Sequence, residues 1–231
     1  MLWEERQKKV EKVAYKSLET IANELDVPIP FYPKVYWIGR KLKFEELNLP
    51  YKYKKEFNSV KKWKKGEYLF ESKVILIGGY FLEDIGEEVG HFLHLNSSNI
   101  SKISLKTVND FCLYSIIEMF GFFCSKLIKP TRENNYKIYK DALSNCSKSE
   151  EFAEKEIKAF NRESDYEIFS EAYQQGYGLG EEIFKAYKSG SISKKNIRKL
   201  FTNPLNEKNE PLKVFLELKH NMVNFMKDYK E

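Results

Sequence analysis

Histidine and cysteine are scarce in this chain of 231 residues, with three of each. The cysteines are Cys112, Cys124 and Cys146; their number is odd and no CxxC spacing occurs, so the sequence gives no sign of a disulfide framework. Cys112 and Cys124 fall in an apolar segment, where a reduced, buried thiol is the expected state. The cysteine content therefore predicts a reducing, cytoplasmic compartment.

The chain also lacks a large excess of charge of one sign. Its 39 basic and 34 acidic residues leave a net charge of +5, which predicts a mixed surface. A hydrophobic content of 42%, including 15% aromatic residues, excludes a disordered protein and allows a sizeable core. Charged residues occupy the place where a signal peptide has its apolar stretch: Glu4, Glu5, Arg6, Lys8 and Lys9.

Long hydrophobic runs are limited to one segment, from Phe111 to Ile128. Glu118 and Lys126 interrupt this run, which is near the short limit for a membrane span. A charge in the middle of a membrane helix is costly. We therefore expect a buried core helix here, and no membrane partner.

Hydrophobic periodicity predicts an α+β domain that is predominantly helical. Helices are expected at 2–25, 80–95, 108–128, 149–160, 165–188 and 211–229, and strands at 34–39 and 67–77, the second as one strand or a hairpin. Residues 1–148 would form the α+β core, and residues 149–231 a helical C-terminal region of the same compact domain. Asn109 or Asp110 is expected to cap the helix at 108–128. Gly176, Gly178 and Gly180 do not form a phosphate loop, and would allow close helix packing or mark a break.

Seven lysines lie among four aromatic residues between positions 51 and 65. Such a segment can bind nucleic acid, because lysines meet phosphates and aromatic rings stack on bases. A solvated helix face with its aromatic side chains turned inward has the same composition. Because the overall charge is mixed, we favour the second interpretation and do not expect a nucleic-acid partner.

The segment Glu83–His94 (EDIGEEVGHFLH) holds two of the three histidines beside adjacent glutamates. Taking Glu87 as zero on a helix, His91 lies at about +40°, His94 at about −20° and Glu88 at about +100°. Three metal-capable side chains therefore share one stripe, with a second carboxylate beside it. The apolar residues Phe81, Ile85, Val89 and Phe92 recur at helical spacing and would bury the opposite side.

A strand, a turn and a helix with the sequence E-E-V-G-H resemble the zincin metallopeptidases, whose helix carries H-E-x-x-H after an edge strand. When the segment is aligned with that motif, Glu87 occupies the position of the first histidine. Glu88 occupies the position of the general base, and His91 that of the second histidine. Gly90 and the residues after His91 resemble the gluzincin branch, which takes a third ligand from the next helix. Glu118 stands on that helix. The resemblance covers about residues 35–128 and implies hydrolysis of a peptide or protein substrate.

The resemblance implies a metal held by His91, Glu118 and Glu87, with Glu88 as the base and His94 as a substitute ligand. A carboxylate on an apolar helix such as Glu118 needs a cation or strong donors, which independently favours a metal here. Zinc is the implied ion, although the carboxylate-rich set would suit Mn²⁺ or Fe²⁺ better than a histidine-rich site does. Glutamate at position 87 also fits an inactive relative of the family.

Two other interpretations remain open from the sequence. The first is a non-enzymatic zincin-fold module that binds an acidic protein or nucleic acid. The second is a ferritin-like di-iron site built from two E-x-x-H pairs and two single acids. The pairs would be Glu88–His91 and Glu217–His220; the single acids would be Glu118 and either Glu167 or Glu171. Each of these polar residues could also be an ordinary solvated or salt-bridged side chain.

Overall fold

The computed structural model describes residues 3–38, 42–59, 66–78, 82–100, 107–131, 165–206 and 210–229. In this described part the chain is predominantly helical with one small sheet, which confirms the predicted α+β class. The helices are α1 Trp3–Leu25, α2 Lys54–Ser59, α3 Leu82–Ser97, α4 Val108–Ile128, α5 Asp165–Lys188, α6 Lys194–Thr202 and α7 Glu210–Asp228. The strands are β1 Lys34–Trp37, β2 Gly66–Leu69 and β3 Val74–Ile77, and short 3₁₀ helices occupy Phe44–Leu47 and Tyr51–Tyr53.

The sheet has the order β1-β3-β2, with β1 parallel and β2 antiparallel to β3. Its central strand β3 consists of four buried aliphatic residues, as expected for a strand covered on both faces. β2 and β3 form the hairpin that was one of the two predictions for 67–77. In the described residues β2 pairs with β3 alone, so it is an edge strand of this sheet.

Helix α4 lies at the centre of the helical part, with α3 packed on one side and α5 on another. Glycines make both contacts close. A Cβ on Gly90 of α3 would lie 2.5 Å from the Cβ of Cys124, and one on Gly176 of α5 would lie 2.5 Å from the Cβ of Glu118. Gly176 and Gly180 thus allow close packing within a continuous helix, one of the two roles predicted for them.

Helix α4 is also the one described helix that is long and apolar enough to cross a membrane. Most of its residues are buried against other parts of the protein in this structure. This burial agrees with the core helix expected from the sequence, and it places Glu118 among packed helices.

Two details of the helices differ from the prediction. Thr107 caps α4 and accepts a hydrogen bond from the backbone N–H of Asp110, so the predicted caps Asn109 and Asp110 are wrong. Asp110 is the third helical residue, and its carboxylate accepts a hydrogen bond from the backbone N–H of Thr107, which completes a capping box. Helix α6 was not predicted. The helix expected at 149–160 and Cys146 lie outside the described residues.

The described C-terminal helices share one hydrophobic core with the N-terminal part. α6 packs against α1, and α7 packs against α4. Most of the buried apolar residues of α1, α3, α4, α5, α6 and α7 belong to one contiguous cluster. Residues on either side of position 148 are therefore brought together around α4.

Candidate metal centre

Glu87, His91 and Glu118 meet between helices α3 and α4. One potential ligand atom from each side chain lies within 4.8 Å of the other two. His91 Nε2 lies 3.5 Å from Glu118 Oε2. The three residues are 6, 8 and 5% exposed, so the group is buried. Three of the four ligands expected from the zincin resemblance are therefore close in space.

The backbone of α4 makes room for His91. A Cβ on Gly121 would lie 2.3 Å from the Cε1 atom of the His91 ring and 2.6 Å from its Nε2. Such a distance is far inside van der Waals contact, so only glycine allows the imidazole to rest here. Because Gly121 follows Glu118 by nearly one helical turn, the ring lies beside that carboxylate.

Tyrosine hydroxyls surround the two carboxylates of the group. Tyr173 of α5 donates a hydrogen bond of 3.3 Å to Glu87 Oε1, and Tyr177 donates to the same oxygen. The hydroxyls of Tyr173 and Tyr177 also contact each other. On α4, burial raises the pKa of the Tyr114 hydroxyl, and the nearby carboxylate of Glu118 raises it further. The Glu87 carboxylate thus accepts from phenols, which satisfies part of its need for donors in a buried place.

Glu88 lies next to this group and faces the sheet. It is 8% exposed, and a Cβ on Gly66 of β2 would lie 2.7 Å from its Cγ. Burial raises the pKa of Glu88 well above its usual value, and the nearby carboxylates of Glu87 and Glu67 raise it further, whereas His91 lowers it. Glu88 is therefore a carboxyl group that holds a proton more strongly than an exposed glutamate.

His91 is held in its charged form by the acids around it. Burial by itself would lower the pKa of His91, but the carboxylates of Glu118, Glu88 and Glu87 raise it to about 9. One imidazole thus faces three buried carboxyl groups. Charge of one sign is costly to bury unless a counter-charge is present, so the group has an affinity for a proton or a metal cation.

The donor set fits a divalent cation. Two carboxylates and one imidazole are ordinary ligands of Zn²⁺, and three protein ligands with one open position are typical of catalytic sites. Ligand atoms about 2.1 Å from a tetrahedral ion lie about 3.4 Å apart, which is close to the 3.5 Å between His91 Nε2 and Glu118 Oε2. One ligand atom of each residue lies within 4.8 Å of the other two, so all three can face one ion.

His94, the substitute ligand expected from the sequence, does not belong to the group. Its ring is fully buried between Phe120 of α4 and Phe201 of α6, with centroid distances of 4.6 and 5.0 Å. Neither ring nitrogen has a hydrogen-bond partner among the described residues. Burial, together with the charge of His91, lowers the pKa of His94 to about 3, so the ring is neutral.

The structure brings together only part of the di-iron hypothesis: Glu88, His91 and Glu118 lie near one another, but the second E-x-x-H pair does not join them. Glu217 and His220 are exposed on α7, and neither belongs to the buried group. Glu171 of α5 accepts a hydrogen bond of 2.6 Å from Gln175. The side chain of Glu167 lies outside the described residues. The second E-x-x-H pair therefore gives no support to a site at Glu118.

The tyrosines are the residues of the centre that the sequence did not reveal. Tyr173 and Tyr177 lie 86 and 90 residues after Glu87. Their one local signal is their separation by one helical turn beside Gly176, which also fits an ordinary packing face. Glu67 was equally unmarked, although β2 brings its charge close enough to affect Glu88 and Tyr114.

The lysine-rich segment is described only in part, because positions 60–65 lie outside the described residues. Within 51–59, Phe57 is half-buried and packs against the small cluster formed by Leu69, Val74 and Leu76. Tyr51 is 77% exposed, and the ammonium group of Lys54 lies 5.1 Å from the centre of its ring. One aromatic residue of the segment is thus turned inward and another outward.

Comparison of the chain with protein-family models, with curated proteins and with solved structures finds no match. The chemistry of the site must therefore be argued from its own residues.

Proposed function

We propose that this chain is a metal-dependent hydrolase of the zinc-metallopeptidase type. Glu87, His91 and Glu118 would hold the cation, and Glu88 would be the general base. The observation that carries the proposal is the buried Glu87–His91–Glu118 group on two packed helices, with a further buried carboxyl group at Glu88. A purely structural ion pair would need only His91 and one acid.

Each residue has a separate task in this proposal. A bound divalent cation supplies a Lewis acid and lowers the pKa of water toward about 7. His91 and Glu118 orient each other across 3.5 Å, and Gly121 fixes the ring of His91. Glu88 accepts a proton from water at its carboxylate. Its raised pKa makes the deprotonated carboxylate a stronger base than that of an exposed glutamate.

The sheet supports a peptide as the substrate class. β2 is an antiparallel edge strand in the described part of the sheet, and its Gly66 lies against the side chain of Glu88. Edge strands bind extended peptides through their unpaired backbone groups. A peptide added to β2 would therefore run past the proposed base.

The first test is metal analysis of the untagged protein beside His91→Ala and Glu118→Ala variants. We expect about one zinc or manganese per chain in the parent and a loss of the metal in both variants. His220→Ala is the matched control, because it removes an exposed histidine from α7. A parent that binds neither Zn²⁺ nor Mn²⁺ after incubation with the ions would refute the proposal.

The second test separates a hydrolase from a site that only binds metal. In a peptide-hydrolysis screen, Glu88→Gln should abolish cleavage by the active parent and leave the metal content unchanged. Glu217→Gln, an exposed glutamate on α7, controls for loss of a carboxylate elsewhere. Cleavage by Glu88→Gln at the parental rate would exclude Glu88 as the base.

The deep burial of the group favours a second candidate function, a non-enzymatic module whose cation stabilises the fold. All three candidate ligands are at most 8% exposed, and two tyrosines of α5 contact Glu87. Such a module would bind the ion and lose stability without it, yet cleave none of the peptides in the screen. Glu88→Gln would then change neither metal content nor any measured activity.

A further inference from the structure

We propose that Tyr177, supported by Tyr173, is a positioning residue that fixes Glu87 as a metal ligand. This inference rests on the proposed function, because it assigns Glu87 to the cation. It concerns the position where the resemblance departs from H-E-x-x-H. There a carboxylate stands in place of an imidazole, and helix α5 supplies two hydroxyl groups to that carboxylate.

The arrangement of hydrogens makes the two tyrosines unequal. Three oxygens, those of the two hydroxyls and Glu87 Oε1, contact one another, but the two hydroxyls carry only two hydrogens. The contact from Tyr173 to Glu87 is the longer one, at 3.3 Å. We therefore assign a chain of two hydrogen bonds. In this chain the hydroxyl of Tyr173 donates to that of Tyr177, and the hydroxyl of Tyr177 donates to Glu87.

Packing on α5 holds the two phenols in place. Their rings lie 4.1 Å apart between centroids, and the Tyr177 ring lies 4.5 Å from that of Phe122 on α4. Tyr177 is 1% exposed. Gly176, between the tyrosines, brings α5 so close to α4 that a Cβ there would overlap the Cβ of Glu118. The close contact between α5 and α4 at Gly176 therefore positions both the tyrosines and Glu118, the second carboxylate of the site.

Glutamate at position 87 requires such support more than histidine would. A glutamate side chain has one more rotatable bond than histidine, and its carboxylate has about four lone-pair directions. The hydrogen bond from Tyr177 to Oε1 selects one orientation and leaves the remaining lone pairs for the cation. Partners of this kind orient ligands in metal sites, and their loss typically weakens metal binding about 10–100-fold.

The test is a competition titration of the full-length chain, first stripped with a chelator, with Zn²⁺ and separately with Mn²⁺. Tyr177→Phe should weaken binding of the ion by about 10–100-fold, and Tyr173→Phe should weaken it less. Tyr187→Phe is the matched control. It also lies on α5 and donates a hydrogen bond of 2.6 Å to a glutamate, Glu24 of α1, but does not touch the site.

A double variant distinguishes positioning from a general loss of stability. In a Glu87→Ala background, Tyr177→Phe should cause no further loss of metal affinity, because the hydroxyl acts through Glu87. The midpoint of thermal unfolding without metal measures the structural cost of each substitution, which should be larger in Tyr177→Phe because its partner Glu87 is buried. A further loss of affinity in the Glu87→Ala background would overturn the inference.

The outcomes also separate this inference from the proposed function. If the parent binds the ion and Tyr177→Phe binds it equally well, the inference fails and the proposed function stands. If Tyr177→Phe weakens binding but the parent with its ion cleaves no peptide in the screen, the inference stands and the hydrolase does not. If the parent binds neither ion, both proposals fail.

Discussion

Glu118 and His94 are buried in the same core, but they meet opposite surroundings. Glu118 Oε2 lies 3.5 Å from His91 Nε2, so its carboxylate has a counter-charge beside it. His94 packs between Phe120 and Phe201, with no described hydrogen-bond partner for either nitrogen. The first environment suits a metal ligand. The second suits a neutral aromatic core residue.

His94 should make the protein less stable in acid. Its pKa of about 3 in the folded state lies below the ordinary value of 6.5, so below about pH 6.5 the unfolded chain binds a proton that the folded chain does not. The free energy of unfolding should fall by up to about 1.4 kcal/mol per pH unit below that value from this residue alone. His94→Leu should remove this part of the pH dependence.

Urea unfolding of the parent and His94→Leu at pH 7.5 and pH 5.5 measures the difference. His220→Gln is the control, because it removes an exposed histidine and leaves the core unchanged. If the parent and His94→Leu lose the same free energy of unfolding between the two pH values, His94 does not remain neutral in the core.

Replacing Glu87 by histidine should shift metal preference toward zinc. Glu87→His completes the H-E-x-x-H pattern, and imidazole suits Zn²⁺ better than Mn²⁺ relative to a carboxylate. Competition titration should therefore show a rise in the ratio of Zn²⁺ to Mn²⁺ affinity. Glu217→His, on the exposed face of α7, controls for simple addition of a histidine. An unchanged ratio would mean that residue 87 does not contact the ion.

At the scale of the elements, helix α4 positions the site by packing closely on both sides. Gly121 receives the ring of His91 from α3, and Gly176 of α5 lies against Glu118. The sequence indicated an apolar α4 with one acid at its centre, and it indicated either close packing or a helix break at Gly176. It could not show that Gly121 faces His91, because that depends on the relative rotation of two helices.

Gly121→Ala should disrupt metal binding directly. The new methyl group would lie 2.3 Å from the ring of His91, so the ring must move. Overpacking of this kind costs about 1–3 kcal/mol of stability, partly offset by about 1 kcal/mol from the better helix propensity of alanine. We expect a strong loss of Zn²⁺ affinity in the competition titration, with a fold that remains measurable by circular dichroism.

Gly180→Ala is the control for overpacking of α4. Its methyl group would lie 2.7 Å from the backbone oxygen of Met119, and it also meets the ring of Phe122. It should lower stability by a similar amount while it reduces metal affinity much less. Equal losses of affinity in Gly121→Ala and Gly180→Ala would show that the site responds to helix packing in general, not to the space beside His91.

At the scale of the whole molecule, the candidate centre joins three helices that are distant in sequence. α3 supplies Glu87 and His91, α4 supplies Glu118, and α5 contributes the tyrosines. These helices share one hydrophobic cluster with α1, α6 and α7. Binding of a cation should therefore stabilise the whole fold and not only α3.

Added Zn²⁺ or Mn²⁺ should raise the midpoint of thermal unfolding. At an ion concentration about one hundred times Kd, binding adds about 2.7 kcal/mol, which corresponds to roughly 5–11 °C for a chain of this size. Calorimetry with added ion and with a chelator measures the shift, and His91→Ala should abolish it. A shift that persists in His91→Ala would place the stabilising ion elsewhere.

The sequence by itself determined most of the helices, the strand-rich segment, and the grouping of Glu87, Glu88 and His91. These depend on local periodicity, which the order of residues specifies directly. Glu118 was also recognisable, because an acid on an apolar helix needs a partner wherever that helix lies. The cap at Thr107 and helix α6 were missed, since the boundaries of short elements depend on single hydrogen bonds and on packing.

The tertiary structure alone decided which of these residues meet. Periodicity gives an angle about a helix axis, and by that angle His94 lies on the same stripe as Glu87. His94 lies about 10.5 Å farther along the axis, where the neighbouring elements present Phe120 and Phe201. The tyrosines that hold Glu87 come from a helix 86 to 90 residues later. The position of these tyrosines beside Glu87 depends on how α5 packs on α4, and no local sequence pattern specifies that packing.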